Sequence, residues 1–199
     1  MPAPPARRPP GRAEFVAGAA RLERIPPPSR PEVAFAGRSN VGKSSLLNRL
    51  VGRRALARVS RTPGRTQQIN FFAIDKGLLL VDLPGYGFAR VPLAVKAEWR
   101  GLVEGYLTKR RTLRGVVVLV DARRGLQAED AQLLDFLAAG AIPALVVATK
   151  IDKLKRSERG PALAAIAEQQ HGLPPIAFSA LSGEGTDDLW VAVGAWLER

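Results

Sequence analysis

Residues 37–44 read Gly-Arg-Ser-Asn-Val-Gly-Lys-Ser, a complete G-x-x-x-x-G-K-[ST] phosphate-binding loop. Such a loop needs a buried strand running into it and a helix running out. Val33, Ala34, Phe35 and Ala36 form an apolar run before it. Leu46, Leu47, Leu50 and Val51 recur at helical spacing after it, so the pattern predicts a strand ending near Ala36 and a helix starting near Lys43. Glycine at 37 and 42 lets the backbone curl so that several N–H groups point at one phosphate chain. The helix N-terminus adds partial positive charge. Lys43 can reach β- and γ-phosphate oxygens, and the Ser44 hydroxyl can ligate Mg²⁺. The bland alternative is a chance glycine-rich turn, and the flanks argue against it.

The other apolar runs predict an α/β chain. Phe15 to Ala20 reads as an edge strand or a turn of helix, and Pro26-Pro27-Pro28 as a stiff connector. Ile69–Ile74 and Leu78–Val81 flank Asp75-Lys76-Gly77, which predicts an antiparallel hairpin. Trp99, Leu102, Val103, Tyr106 and Leu107 recur at i, i+3, i+4, i+7 and i+8, predicting a helix over 93–109. Lys109, Arg110 and Arg111 would complement its C-terminal dipole. Val116–Val120 and Ala144–Ala148 read as strands buried on both faces. Helices are expected over 127–139 and 157–170, a short strand at Ile176–Phe178, and a closing helix through Leu189, Trp190, Val193, Trp196 and Leu197. The sum is a three-layer P-loop NTPase fold, a mostly parallel six-stranded sheet with one antiparallel edge strand and helices on both faces. Residues 1–13, rich in proline and arginine, are expected to be a disordered extension, and 14–199 a single domain.

Ligands of such folds sit at the carboxyl ends of the strands, and four further motifs fall there. Asp82-Leu83-Pro84-Gly85 is D-x-x-G after an apolar strand: the carboxylate can hold Mg²⁺, directly or through water, and the Gly85 amide can meet a γ-phosphate. Thr66, in the loop before the hairpin, can complete the Mg²⁺ shell and order that loop around a triphosphate; alternatively it is an ordinary loop threonine. In Thr149-Lys150-Ile151-Asp152, the Asp152 carboxylate can accept from the guanine ring N–H and exocyclic amine, a donor pair adenine lacks. The Lys150 stem can pack over the base. The backbone amides of Phe178, Ser179 and Ala180 can meet the guanine carbonyl. Five motifs in this order, each after its expected element, read as a P-loop GTPase.

Composition narrows the setting. There are no cysteines among 199 residues, which excludes disulfides and thiolate chemistry and fits a reducing compartment. No apolar run approaches the roughly 20 residues of a membrane span, and the arginines at the start precede no apolar signal core. The expectation is a cytoplasmic protein. The net charge of +12 points to a polyanionic partner or, more blandly, to a solvated basic surface. Six arginines (49, 53, 54, 58, 61 and 65) crowd the loop that carries Thr66, with no acid among them. Lone His171 reads as structural.

The wording of the motifs resembles one family. Ala34 to Leu46, Thr62-Pro63-Gly64-Arg65-Thr66-Gln67, Asp82-Leu83-Pro84-Gly85-Tyr86-Gly87 and Thr149-Lys150-Ile151-Asp152 are similar to the EngB (YihA/YsxC) family of bacterial GTP-binding proteins, from about Phe15 to the C-terminus. The resemblance implies a single GTPase domain that binds Mg²⁺ and acts in late assembly of the large ribosomal subunit, with a link to normal cell division and septation. Carried over by position, it implies Mg²⁺ ligation by Ser44 and Thr66. It implies GTP contacts from Gly37, Arg38, Ser39, Asn40, Val41, Gly42, Lys43 and Ser44, and from Gly64, Arg65, Thr66, Gln67 and Gln68. Further contacts would come from Asp82, Leu83, Pro84 and Gly85, from Thr149, Lys150, Ile151 and Asp152, and from Phe178, Ser179 and Ala180. Thr149 stands where GTPases generally place asparagine, in keeping with the family's own pattern.

Catalytic roles are expected of Asn40, Lys43 and Thr66. Asn40 resembles the P-loop asparagine with which related GTPases hold K⁺ near the phosphates; the alternative is that it only serves the turn. Tyr86 follows D-x-x-G where Ras-like GTPases place a water-orienting glutamine. A phenol is a poor substitute, so slow intrinsic hydrolysis is expected. The partner expected is the large-subunit precursor and its rRNA, met through phosphate and shape, by a protein for which nothing demands more than a monomer. The main competing reading is a division-site or membrane-associated switch acting through protein partners. The sequence shows neither a lipidation motif nor a basic amphipathic helix. A small-molecule phosphotransferase would need an acceptor lid for which the chain leaves little room.

Overall fold

The apolar runs become strands covered from both sides. In the computed structural model, residues 13–52, 68–75, 77–86, 93–170 and 172–198 are described, with only the backbone over 93–99. The strands are β1 (Ala13–Ala19), β2 (Glu32–Gly37), β3 (Ile69–Ile74), β4 (Leu78–Asp82), β5 (Leu113–Asp121), β6 (Ala144–Thr149) and β7 (Ile176–Ala177). The helices are α1 (Lys43–Leu50), α2 (Leu93–Lys109), α3 (Ala128–Ala139), α4 (Arg156–Gln169) and α5 (Thr186–Leu197). They build one sheet in the order β1-β3-β4-β2-β5-β6-β7. The pairs β2–β4, β2–β5, β5–β6 and β6–β7 are parallel; β1–β3 and β3–β4 are antiparallel.

Alternation along the central strands divides the core. Val33, Phe35, Val117 and Leu119 pack toward Leu46, Leu47 and Leu50 of α1 and Leu189, Trp190 and Val193 of α5. Ala34, Ala36, Val116, Val118 and Val120 face Leu102 and Tyr106 of α2, Leu137 of α3 and Ile166 of α4. This is the period-2 consequence of a strand buried on both faces. Close packing sets one composition detail: a Cβ at Gly115 would stand 2.6 Å from the Trp196 ring.

The expected three-layer fold is present, with seven strands among the described residues instead of six. The added strand is β1, which pairs with β3 through a register shift between Phe15 and Ala17. The antiparallel strand β3 is therefore covered and is not the sheet edge. The sequence left this segment open between strand and helix because only Ala13 and Ala19 are buried; Phe15 and Val16 are exposed. Ala13 begins β1, so it belongs to the sheet and not to an extension. Residues 1–12, His171 and most of the arginine-rich loop lie outside the described residues.

Arg110 also differs from expectation. It does not sit as a free cation at the end of α2. Its Nε donates to both Glu32 oxygens at 2.7 and 2.9 Å, and its Nη1 to the Pro26 carbonyl at 2.8 Å. Tyr106 and Thr112 hydroxyls complete the carboxylate at 2.8 and 2.7 Å. This knot pins α2 to the start of β2, at the pole of the sheet opposite the strand ends that carry the motifs.

Candidate nucleotide-binding site

The phosphate loop is shaped by two left-handed residues, Asn40 (φ 62°) and Gly42 (φ 109°). Glycine makes the second of these inexpensive. Gly37 is tight for another reason: a Cβ there would lie 2.9 Å from Val41 Cγ1 and 3.0 Å from the Leu119 carbonyl. Val41 N–H closes onto Arg38 O at 3.1 Å. The Asn40 and Gly42 amides have no backbone acceptor among the described residues. With the first-turn amides of α1 they form a cluster of donors suited to phosphate oxygens.

Hydrogen bonding carries the D-x-x-G segment to this loop. Leu83 N–H donates to Phe35 O at 3.0 Å, Tyr86 N–H to Gly37 O at 3.3 Å, and Ser39 N–H to Tyr86 O at 2.9 Å. Lys43 Nζ is ion-paired with Asp82 Oδ1. Both side chains are only about a tenth exposed (11% and 13%), so the pair is shielded yet reachable. The Tyr86 hydroxyl donates to Asp130 Oδ1 at 2.8 Å. Burial, then the Asp130 charge, pushes the phenol's pKa far above its ordinary value. Burial likewise raises the Asp130 carboxyl.

At the other end, Thr149 ties the base-recognition motif to the phosphate loop: its Oγ1 lies 2.7 Å from Val41 O and 3.1 Å from Val120 O. Lys150, itself left-handed at φ 60°, places Nζ 2.6 Å from Asn40 O and 2.9 Å from Asp121 Oδ2. Asp121 also takes Arg123 Nε at 2.9 Å and Nη2 at 2.7 Å. Burial opposes its ionisation, but these bonds outweigh it and hold the carboxyl well below the usual range. Asp152 Oδ1 accepts the Ser179 hydroxyl at 2.7 Å; that bond is the main cause of its lowered pKa. An ionised carboxylate is the form that accepts from two guanine N–H groups. A cavity of about 270 Å³ opens beside it, lined by Gly42, Thr149, Lys150, Asp152, Phe178 and Ala180 among others.

The structure thus brings together Gly37–Ser44, Asp82–Gly85, Thr149–Asp152 and Phe178–Ala180. It narrows the last group. Phe178 N–H is used on Ala148 O and Ser179 N–H on Glu184 O. Of the three amides, Ala180's alone has no acceptor among the described residues. Gln68 is engaged elsewhere, donating to Asn70 Oδ1 at 3.0 Å and filling the space over Gly18. Gly64, Arg65, Thr66 and Gln67 lie outside the described residues. The sequence reading missed Asp121 and Asp130. Asp121 had a signal, since it ends a strand on the ligand edge; Asp130 had none beyond its place in the first turn of α3.

The donor set suits Mg²⁺. Ser44 and Asp82 offer hard oxygens, and no group of three or more His, Asp or Glu able to cage a metal occurs among the described residues. A cation that keeps most of its shell as water and phosphate needs no such cage. Among the same residues, no helix is long and apolar enough to cross a membrane.

Comparison with known proteins identifies the family. The family model described as "50S ribosome-binding GTPase" matches residues 32–150. The chain is 53% identical over 187 residues to a "Probable GTP-binding protein EngB" of Geobacter sp. (strain M21), covering 93% of this chain and 87% of that one. It is 54% identical over 188 residues to the protein so named in Geobacter metallireducens, covering 93% and 92%. Among solved structures, a probable GTP-binding protein engB superposes with a TM-score of 0.70 at 26% identity, covering 84% of this chain and all of that one.

Proposed function

Because the chain belongs to the EngB family of GTP-binding proteins and is a GTPase, we propose that it works as a slow GTP-driven switch in late assembly of the large ribosomal subunit. The observation that carries this reading is the family match over residues 32–150, whose description couples the GTPase to the 50S subunit. A second support is the excess of cations, net +12, which suits rRNA phosphates. A link to cell division would follow from failure of subunit supply.

In this proposal guanine enters the cavity at Asp152, its ring N–H and amine donating to the carboxylate, its carbonyl accepting from Ala180 N–H and its face lying on the Lys150 stem. The phosphates run along the amides of residues 37–44. Lys43 exchanges the Asp82 carboxylate for β- and γ-phosphate oxygens. Ser44 and Thr66 would hold Mg²⁺, with Asp82 behind them, and the ion would neutralise charge on the phosphates. Thr66 and Gly85 then report the γ-phosphate to the loops that follow them. Asn40 serves the turn through its left-handed backbone, and its exposed side chain is free to help hold K⁺; equal hydrolysis rates in K⁺ and Na⁺ would dismiss that second role. Tyr86 stands where a water-orienting glutamine would, and a phenol is a poor substitute for an amide, which supports slow hydrolysis without a stimulator.

The test is co-sedimentation with large ribosomal subunits across a salt series, with the protein loaded with a non-hydrolysable GTP analogue or GDP. Retention with the analogue alone, falling steeply with salt, is expected. Absence of nucleotide-dependent retention at low salt would sink the assembly role and turn the search toward protein partners at the division site or membrane.

A further inference from the structure

Tyr86 is fastened at three points, and together they decide what the front of the phosphate loop can accept. We infer that Asp130 is a positioning residue that sets the preference between GTP and GDP, by holding Tyr86, and with it Gly85, against the phosphate loop. The inference rests on the nucleotide reading above and goes on to its regulation.

The backbone of Tyr86 is stitched to the loop in both directions, to Gly37 O and from Ser39 N–H, as a parallel bridge beside Arg38. Ser39 N–H is one of the loop's own donors, and here it is spent on a protein carbonyl. Gly85 lies so close that a Cβ would stand 3.3 Å from Ser39 N. The hydroxyl then fixes the arrangement from the side through Asp130 Oδ1 at 2.8 Å. Asp130 cannot follow a moving tyrosine: it is 1% exposed, and its Oδ2 accepts Gln127 N–H at 2.9 Å. The neighbouring Glu129 meets Arg38 of the phosphate loop at 3.4 Å. The start of α3 is therefore tied to the loop and to the D-x-x-G segment at once.

A diphosphate does not need the front of the loop. A third phosphoryl group does, because it reaches forward to the Gly85 amide, into the space where Ser39 N–H is already bonded to Tyr86 O. It competes with the Tyr86 bridge, and the hydroxyl bond to Asp130 weights the competition against it. A contact broken by one ligand and not the other is a differential affinity, the only thing that shifts such an equilibrium.

Tyr86→Phe keeps the ring and removes the bond. Titration with fluorescent GDP and a fluorescent non-hydrolysable GTP analogue should show analogue affinity about tenfold higher in this variant, as the loss of one hydrogen bond to a charged acceptor allows, and GDP affinity unchanged within about twofold. Asp130→Asn, which keeps an acceptor oxygen without the charge, should show a smaller rise. The double variant should add little to Tyr86→Phe alone, since the two residues share one bond. Thermal melts establish that each variant is folded. An unchanged analogue-to-GDP ratio in folded Tyr86→Phe would overturn the proposal. So would an equal shift for both nucleotides, because a merely structural bond loosens the site for either. Failure of the unaltered protein to bind either nucleotide would instead sink the nucleotide reading, and the proposal with it.

Discussion

At the start of β2, Glu32 meets Arg110; just past the other end of the same strand, Lys43 meets Asp82. The first acid is 0% exposed and shared among an arginine, a tyrosine and a threonine. Arg110 reaches further, to the Pro26 carbonyl and over the Phe71 ring at 5.8 Å. The second pair is one lysine on one carboxylate, each more than a tenth exposed. A buried pair repays its desolvation only when its lone pairs and protons find partners. The Glu32 carboxylate meets that condition, taking Arg110 Nε on both oxygens and the Tyr106 and Thr112 hydroxyls, while Arg110 Nη2 meets it as an ion pair without a formed hydrogen bond. Lys43 and Asp82 meet it only in part, which leaves each with capacity for another ligand. Saturation marks the structural pair, and spare capacity marks the exchangeable one.

Removing charge at either end should give opposite results. Glu32→Gln leaves Arg110 buried without its counterion, which costs about 3 kcal/mol or more; urea unfolding should show it, while guanine-nucleotide affinity of the folded protein stays the same. A fall in affinity comparable to the fall in stability would erase the distinction between the two pairs. Lys43→Met should cost less stability than Glu32→Gln, because Asp82 keeps access to solvent that Glu32 lacks. The same variant should weaken GTP-analogue binding by about a hundredfold or more, from the loss of a charge-assisted contact to phosphate. Isothermal titration beside a melt separates the two effects.

The guanine end sharpens the contrast. Asp152 has one hydroxyl partner, Ser179 on Oδ1, and the exposed Lys153 ammonium stands 3.7 Å from Oδ2, an arrangement that orients the carboxylate and leaves acceptor capacity toward the cavity. Asp152→Asn puts a donor where guanine presents donors, and should lower GTP affinity by about a hundredfold, as unmatched polar groups in a built site do. Xanthosine triphosphate, with a carbonyl in place of the exocyclic amine, should bind the variant better than GTP does. Equal loss for both nucleotides would mean that Asp152 orders the loop and does not read the base.

Much of this was legible in the sequence because chemistry or periodicity left few options. The phosphate loop needs glycine where the backbone turns left-handed, so Gly42 announces itself. The α2 bounds, 93–109, follow from apolar spacing and match the structure. What stayed hidden depends on partners brought together by the fold. Tyr86 and Asp130 are 44 residues apart, and Asp121 and Lys150 are 29 apart. Glu32 at a strand start reads as a surface acid until Arg110, 78 residues on, closes over it. Strand β1 hid for another reason: an edge strand with only two buried side chains, both alanines, carries almost no hydrophobic alternation.

Acid titration probes the middle ground between the two kinds of pair. Asp121 is gripped by Arg123 and Lys150, and its folded pKa is lowered despite burial. The unfolded chain therefore binds the proton more readily, so stability rises with pH across that window. The contribution is complete above the ordinary carboxylate value near pH 4 and is lost as pH falls through the lower folded value. Asp152 is lowered as well, by Ser179, and adds with the same sign. Asp121→Asn should therefore make the acid side of a stability–pH curve shallower without flattening it, by about 1 kcal/mol given the solvent screening at this edge. Because Asp121 also holds the lysine whose stem would face the base, GDP affinity should weaken severalfold in the same variant at pH 7. An unchanged acid slope would place Asp121 with the weak surface pairs; a shallower slope with unchanged GDP affinity would place it with Glu32.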